Sequence, residues 1–290
     1  MNNNILEINN LCVTHKKFKL DNISFTLEKG YVMGLIGTNG AGKSTILRAI
    51  INSIKKNSGE IKVFGLDSTQ DYVQIRDRIG FVNDENVYPE ELTIESMKKL
   101  ISPLYSKWND EDFKLYIKKF NLDPKIKIKK LSKGMKMKFA IAVALSHEAE
   151  LIIMDEPTAG LDPVFRREML QVLHSLMQDE NKAILFSTHI TSDLDNIADY
   201  ITFIQDGKMM FSQSREDIND KYVVVKGSKD ELDKMGKELL IGYTENAYGF
   251  EGLSVNKNAI REIMGDKIII EKATLEDIMV NYSVASFKHD

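Results

Sequence analysis

A lysine and three hydroxyl residues stand among three glycines in the stretch GTNGAGKST, residues 37–45. Each residue type has a task there if the ligand is a phosphate chain. Gly37, Gly40 and Gly42 let the backbone turn its N–H groups inward around the anion, and Thr38, Asn39 and Ala41 complete the loop. Lys43 reaches the terminal phosphates, the Ser44 hydroxyl binds Mg²⁺, and Thr45 backs the site up. A helix starting at the end of the loop adds unpaired N–H groups and about half a unit of positive charge. A glycine turn with a surface lysine is the plainer alternative. The complete G-x-x-x-x-G-K-[ST] pattern between a strand and a helix points instead to a nucleoside triphosphate.

Two further places carry chemistry. Asp155 and Glu156 follow the apolar run Leu151 to Met154. Open parallel sheets place ligand chemistry at the carboxyl ends of their strands. Asp155 is therefore read as a Mg²⁺ ligand acting through water, and Glu156 as the base that polarises the attacking water. Capping of the next turn, beside Pro157, is the bland alternative. His189 ends a second apolar run, ILFSTH, and faces the phosphates if that strand is a neighbour. Asp162, in TAGLDP, reads by itself as a helix N-cap before a proline.

The elements that must position these residues are legible from periodicity. Tyr31 to Ile36 has strand length, and Lys43 to Ile51 carries Ile46, Leu47, Ile50 and Ile51 on one helical face. The runs ILEINNL, NISFTLEKGY and GEIKVFG alternate as strands. A short helix and the strand IGFV occupy residues 71–82. Residues 90–122 are expected to be mostly helical, anchored by Leu92, Leu100, Leu104, Phe113, Tyr116, Ile117 and Phe120. LSKGMKMKFAIAVALS and VFRREMLQVLHSLMQ are helical; ELIIMDEP and KAILFSTHI are buried strands; YITFIQDGKMMFS is a hairpin turning at Asp206-Gly207. This alternation predicts an α/β fold with a parallel sheet covered by helices. The polar stretch 212–220 reads as a linker, and the residues beyond it alternate strand and helix on the scale of a small α+β appendage.

Composition narrows the function classes. The 290 residues, with 43% hydrophobic and 28% charged side chains, are ordinary for a globular protein of about two domains. A net charge of −4 argues against a nucleic-acid partner. One cysteine, Cys12, fits a reducing compartment. No run approaches the roughly 18 apolar residues of a membrane span, so a membrane role requires another chain to supply the crossing. Lysines crowd residues 114–138; a solvated face is the plain reading, and attraction to phosphate or to an anionic membrane surface is the alternative.

Taken in order, GTNGAGKST, LSKGM, LIIMDEPTAGLDP and STH resemble the ATP-binding subunits of ABC transporters over roughly residues 5–212. The resemblance implies a P-loop NTPase core with a parallel sheet, an antiparallel β subdomain and a helical subdomain at 85–145, together forming an ATPase domain over 1–212. Residues 213–290 then form a C-terminal accessory domain. It implies ATP and Mg²⁺ as ligands and a head-to-tail dimer, with a second copy or a paralogue. Ser132 and Gly134 then contact ATP held by the partner subunit, Asp162 reaches across the dimer, and His189 senses the terminal phosphate. Lys43, Glu156 and His189 are the implied catalytic residues.

Some positions depart from the family pattern. The signature reads Leu131-Ser132-Lys133-Gly134-Met135 where the family has Leu-Ser-Gly-Gly-Gln, a form that resembles bacterial drug and antimicrobial-peptide exporters. The family's glutamine after the strand IGFV is replaced: Asp84 takes its place, with Glu85 the alternate, and a carboxylate there still binds Mg²⁺ or orients water. The aligned place of the adenine-stacking aromatic is His15, with Phe18 close by; a solvated loop histidine is the alternative. The implied partner is a transmembrane permease at the cytoplasmic face of the cell membrane, docked near Val87, Tyr88 and Leu92. A soluble ATPase acting on ribosomes or DNA is the competing reading, set against by a single cassette and the absence of sustained heptads at 86–130.

Overall fold

Alternating apolar residues at the start of the chain pair off as antiparallel strands. The computed structural model describes residues 3–15, 18–84, 87–195 and 197–287. Strand β1 (Asn4–His15) lies between β2 (Phe18–Glu28) and β4 (Ser58–Val63), with Ile8 opposite both Phe25 and Ile61. Between β2 and β4 come β3 (Val32–Ile36) and α1 (Lys43–Ile50); after β4 follow β5 (Leu66–Asp67), α2 (Tyr72–Arg76) and β6 (Ile79–Val82). Three helices succeed them, α3 (Ile94–Ile101), α4 (Asp110–Lys119) and α5 (Lys133–Leu145). The chain then returns through β7 (Leu151–Asp155), α6 (Pro163–Leu176), β8 (Ala183–Thr188), β9 (Tyr200–Gln205) and β10 (Lys208–Ser214). The β9–β10 turn holds Asp206 and Gly207 both at positive φ, as its sequence requires.

These strands form one sheet in the order β5-β4-β1-β2-β10-β9-β3-β8-β7-β6. One half is the antiparallel layer around β1. The other is parallel, and its strands β3, β7 and β8 are buried at every position, as both-face coverage by helices demands. The parallel register aligns the strand ends: Ile36 lies beside Thr188, and Asp155 beside Ser187. The residues that leave β3, β7 and β8 therefore emerge side by side at one edge.

The helices between β6 and β7 pack as α4 on α5 and α5 on β6. The buried ring of Phe139 is their centre, with Tyr88 and Phe113 edge-on to it at 4.9 and 6.4 Å between centroids. Helix α3 turns Ile94 and Ile101 inward, seven residues apart and hence on one face. Leu100 and Leu104, expected as anchors, instead project outward at 58% and 74% exposure, because Ile101 and the break before α4 take the inward positions. Conversely, Tyr88 is packed on Phe139, and burial pushes its phenol above its ordinary range. Of the expected docking residues only Val87 is fully exposed; Leu92 is half-buried.

The chain divides into two compact units, 1–212 and 213–290. The stretch expected to be a linker is structured: β10 runs to Ser214, whose hydroxyl then caps α7 (Arg215–Lys221) by accepting from the Asp217 N–H at 3.0 Å. In the second unit β11 (Val223–Gly227), α8 (Lys229–Met235), β12 (Gly242–Glu245), β13 (Phe250–Ser254), α9 (Lys257–Met264), β14 (Ile269–Lys272) and α10 (Leu275–Phe287) build an antiparallel sheet in the order β12-β13-β11-β14. Its core is Val223, Val225, Leu232, Phe250, Ile260 and Met264. Strand β12 was not legible because its four residues are too few to show a period.

His147 locks α5 to β6. Its ring is buried, stacks on Tyr105 at 3.9 Å, and places Nε2 3.0 Å from the Ile79 carbonyl and Nδ1 3.2 Å from that of Val143. Burial lowers its pKa below 6.5, against the opposing pull of the two carbonyls and Asp77. The unfolded chain thus takes up a proton near 6.5 that the folded chain refuses, so stability falls as pH drops through that value and levels off below the folded pKa. Chemical denaturation at about pH 7 and about pH 5 is expected to show a larger loss in the native chain than in His147→Gln, which has no imidazole to titrate.

Candidate functional site

The loop between β3 and α1 is shaped by contacts that exclude side chains. A Cβ on Gly37 would lie 2.2 Å from the Ile204 carbonyl oxygen, so only glycine lets β3 pass its neighbour β9 into the turn. Gly42 sits at φ 113° as the N-cap of α1, and no side chain caps that helix. Its first N–H groups are left facing the loop, the arrangement that favours an anion. Lys43 opens the helix and is only 5% exposed. Its ammonium donates to the carbonyls of Gly37 at 2.8 Å and Thr38 at 3.2 Å, and pairs with Glu156 Oε1 at 3.1 Å.

Glu156 leaves β7 in the left-handed region at φ 46°, a conformation that costs a non-glycine residue roughly 1 kcal/mol or more. It is held there from every side. Its N–H donates to the carbonyl and hydroxyl of Ser187 at 3.1 and 3.0 Å. Its second carboxylate oxygen, Oε2, accepts from His189 Nδ1 at 2.7 Å and from the His189 N–H at 3.3 Å. That contact places the histidine's proton on Nδ1 whenever the ring is neutral. Asp155, one residue earlier, accepts on Oδ1 from Ser187 at 2.7 Å and from Ser44 at 3.0 Å. Ser187 thus serves both residues, donating to the Asp155 carboxylate and accepting from the Glu156 backbone.

A cavity of about 810 Å³ opens over this arrangement. It is lined by Val13, Thr14, His15 and Phe18 from β1 and β2, by Asn39, Gly40, Gly42, Lys43, Ser44 and Thr45 from the loop, and by Asp84 and Glu156. His15, Asp84 and the glycine loop, far apart in the chain, are therefore brought to one space. Gly37, Thr38 and Ala41 shape it from beneath: the first two supply carbonyls to Lys43, and Ala41 is buried. Asp155 reaches the cavity through Ser44. The alternate Glu85 lies outside the described residues.

Ser132, Gly134 and Asp162 do not line this cavity. Ser132 caps α5, accepting from the Met135 N–H at 3.2 Å; Asp162 caps α6, accepting from Val164 and Phe165 at 3.1 and 2.9 Å. Gly134 faces Leu161 and Phe165, so the start of α5 lies against the start of α6. Half of the ten lysines in the lysine-rich stretch form ion pairs: Lys114 with Glu111, Lys127 and Lys129 with Glu91, Lys136 with Glu90, and Lys138 with Glu168 and over the Phe165 ring. Sequence reasoning passed over Ser187, one of two adjacent hydroxyl residues that end β8 and that nothing local tells apart.

Comparison with known proteins places this geometry. Residues 20–159 match the family model described as ABC transporter. The lantibiotic transport ATP-binding protein SrtF of Streptococcus pyogenes is 32% identical over 212 residues, which are 72% of this chain and 90% of that relative. The chain belongs to the family of ABC transporter ATP-binding subunits. The bacitracin transport ATP-binding protein BcrA of Bacillus licheniformis is 34% identical over 66% of this chain, which spans 63% of that relative's length. A solved ATP-binding subunit of an ABC transporter superposes with a TM-score of 0.68 at 27% identity, covering 74% of this chain and 92% of that one. In this ABC subunit the bonds through Ser187 support the Asp155 carboxylate and the Glu156 backbone. Ser187→Ala strips a donor from buried Asp155 and an acceptor from the Glu156 N–H. It is expected to cost about 1–3 kcal/mol in urea denaturation, and Ser187→Thr, which keeps the hydroxyl, less.

Proposed function

We propose that this chain is the ATP-hydrolysing motor subunit of a membrane exporter, working with a transmembrane permease at the cytoplasmic face of the membrane. The observation that carries the reading is the clasp of Glu156 between Lys43 and His189, set beside the Ser44–Asp155 pair at the aligned ends of β3, β7 and β8. Among the described residues no helix is long and apolar enough to cross a membrane. The permease is therefore assigned to another chain.

The residues fit ATP and Mg²⁺. Lys43 already bonds to acceptor oxygens inside the loop, and the phosphates are acceptors of the same kind with more charge. Ser44 and Asp155 offer hard oxygens converging at 3.0 Å, and Asp84 lines the same cavity, a donor set suited to a cation that completes its shell with phosphate and water. Mg²⁺ held by Ser44 and Asp155 would supply positive charge to offset that of the phosphates. Lys43 compensates the terminal phosphate. Glu156, relieved of Lys43, becomes the base that takes a proton from the attacking water, and His189 orients Glu156 through Nδ1. His15 and Phe18 border the cavity where the adenine stacks. Ser132 and Gly134, at the start of α5, bind ATP held by a second subunit, and Asp162 reaches across the same dimer. The cargo is a hydrophobic or amphipathic substrate, of which antimicrobial or cytolytic peptides are the proposed class, in line with relatives named for bacitracin and lantibiotic transport.

Glu156→Gln is expected to bind ATP within about threefold of the native affinity and to hydrolyse it about 10²-fold or more slowly, because only the general base is removed. Native-like turnover in that variant would dismiss the reading. Lys43→Ala is expected to weaken nucleotide binding by about tenfold or more, measured by titration calorimetry. Sedimentation of Glu156→Gln with ATP and Mg²⁺ is expected to show a dimer that disappears when the nucleotide is withheld.

A further inference from the structure

Both ends of the Glu156–His189 hydrogen bond lead, within a few residues, to one buried carboxylate outside the cavity. Asp193 is 1% exposed. Its Oδ2 accepts from the Thr158 hydroxyl at 2.5 Å, and its Oδ1 is paired with the Arg166 guanidinium, which also donates to the Ser192 hydroxyl at 2.9 Å. Thr158, itself buried, stands two residues after Glu156. Arg166 lies in the first turn of α6, its N–H bonded to the carbonyl of the capping residue Asp162 at 3.0 Å. Asp193 closes the short 3₁₀ turn Thr191–Asp193 that begins two residues after His189.

We propose that Asp193 is a positioning residue for ATP hydrolysis, a role that rests on the proposed function: through Thr158 and Arg166 it fixes the turn leaving Glu156, the start of α6 and the turn leaving His189 as one unit. The reason such a tie is needed is the left-handed backbone at Glu156. A strained residue keeps its conformation only where its surroundings over-determine it. Ser187 holds the entry to that turn, and the Thr158–Asp193 bond holds its exit. A buried carboxylate is costly unless both oxygens are satisfied, and here each oxygen has its own donor from a different segment. Asp193, Thr158 and Arg166 do not line the nucleotide cavity, and none of them touches the glycine loop's lysine. Loosening the tie therefore misplaces Glu156 and His189 while leaving the phosphate contacts of Lys43 and Ser44 in place.

The experiment compares Thr158→Val, which exchanges the hydroxyl for a methyl, with Thr158→Ser, which restores it, in the full chain. Thr158→Val is expected to lower kcat for ATP about tenfold with KM and nucleotide affinity within about twofold, and Thr158→Ser to recover most of that loss. Arg166→Gln, at the half-exposed end of the network, is expected to lower kcat alone by about threefold and serves if Thr158→Val does not fold. Turnover unchanged in the folded variants, equal losses in kcat and affinity, or no recovery with serine each overturn the assignment. Glu156→Gln measured alongside separates the two readings. If Glu156→Gln is inactive while the Thr158 and Arg166 variants are normal, only the positioning role falls. If Glu156→Gln turns over like the native chain, the hydrolytic reading itself falls.

Discussion

The buried pair of Lys43 and Glu156, 3.1 Å apart, is the contact on which the arrangement at the strand ends depends. Removing two charges from water is repaid only when each finds further partners. Lys43 finds two carbonyls of its own loop, and Glu156 finds His189. The pair therefore ties the glycine loop to the end of β7 and, through the histidine, to the end of β8. The clasp thus keeps both a lysine and a glutamate of the strand ends occupied beside the loop.

That clasp presupposes the sheet. Three fully buried parallel strands fix the relative heights of Gly37, Glu156 and His189, since a slip of one residue turns every side chain to the opposite face. Ser187 sits opposite Asp155 in this register and joins the Asp155 carboxylate and the Glu156 backbone to the neighbouring strand. The antiparallel layer contributes differently. It brings His15 and Phe18 to the rim of the same cavity from residues that precede the loop. The helical region between β6 and β7 is a separate aromatic assembly around Phe139, fastened to β6 by His147. Strand β6 runs on to Asp84, so that region and the cavity share one segment of chain.

The second unit folds by the same rules on a smaller scale. Ser228 and Glu231 form a reciprocal capping box at α8, and α9 turns Ile260 and Met264 onto the sheet. Gly242 lies so close to the Asn281 carbonyl that a Cβ there would sit 2.2 Å away, which is how β12 and α10 approach each other.

Much of the site was legible because its information is local. The glycine loop, the Asp155-Glu156 pair after four apolar residues, and His189 at the end of another apolar run are all coded by neighbours in sequence. The alternation of strand and helix likewise revealed the α/β core and the smaller α+β region. The D-G hairpin turn followed from two residues alone. Tertiary structure decided everything that depends on faces and register. Leu100 and Leu104 share a helical pattern with buried residues yet point outward, while Tyr88 points in, because a period specifies a stripe but not what covers it. Asp162 caps α6 as its local sequence requires, and a contact across a dimer is a matter for two chains. Ser187, Thr158, Arg166 and Asp193 carried no signal. A hydroxyl or a carboxylate acquires its meaning from a partner some thirty residues away, and strand register alone places that partner.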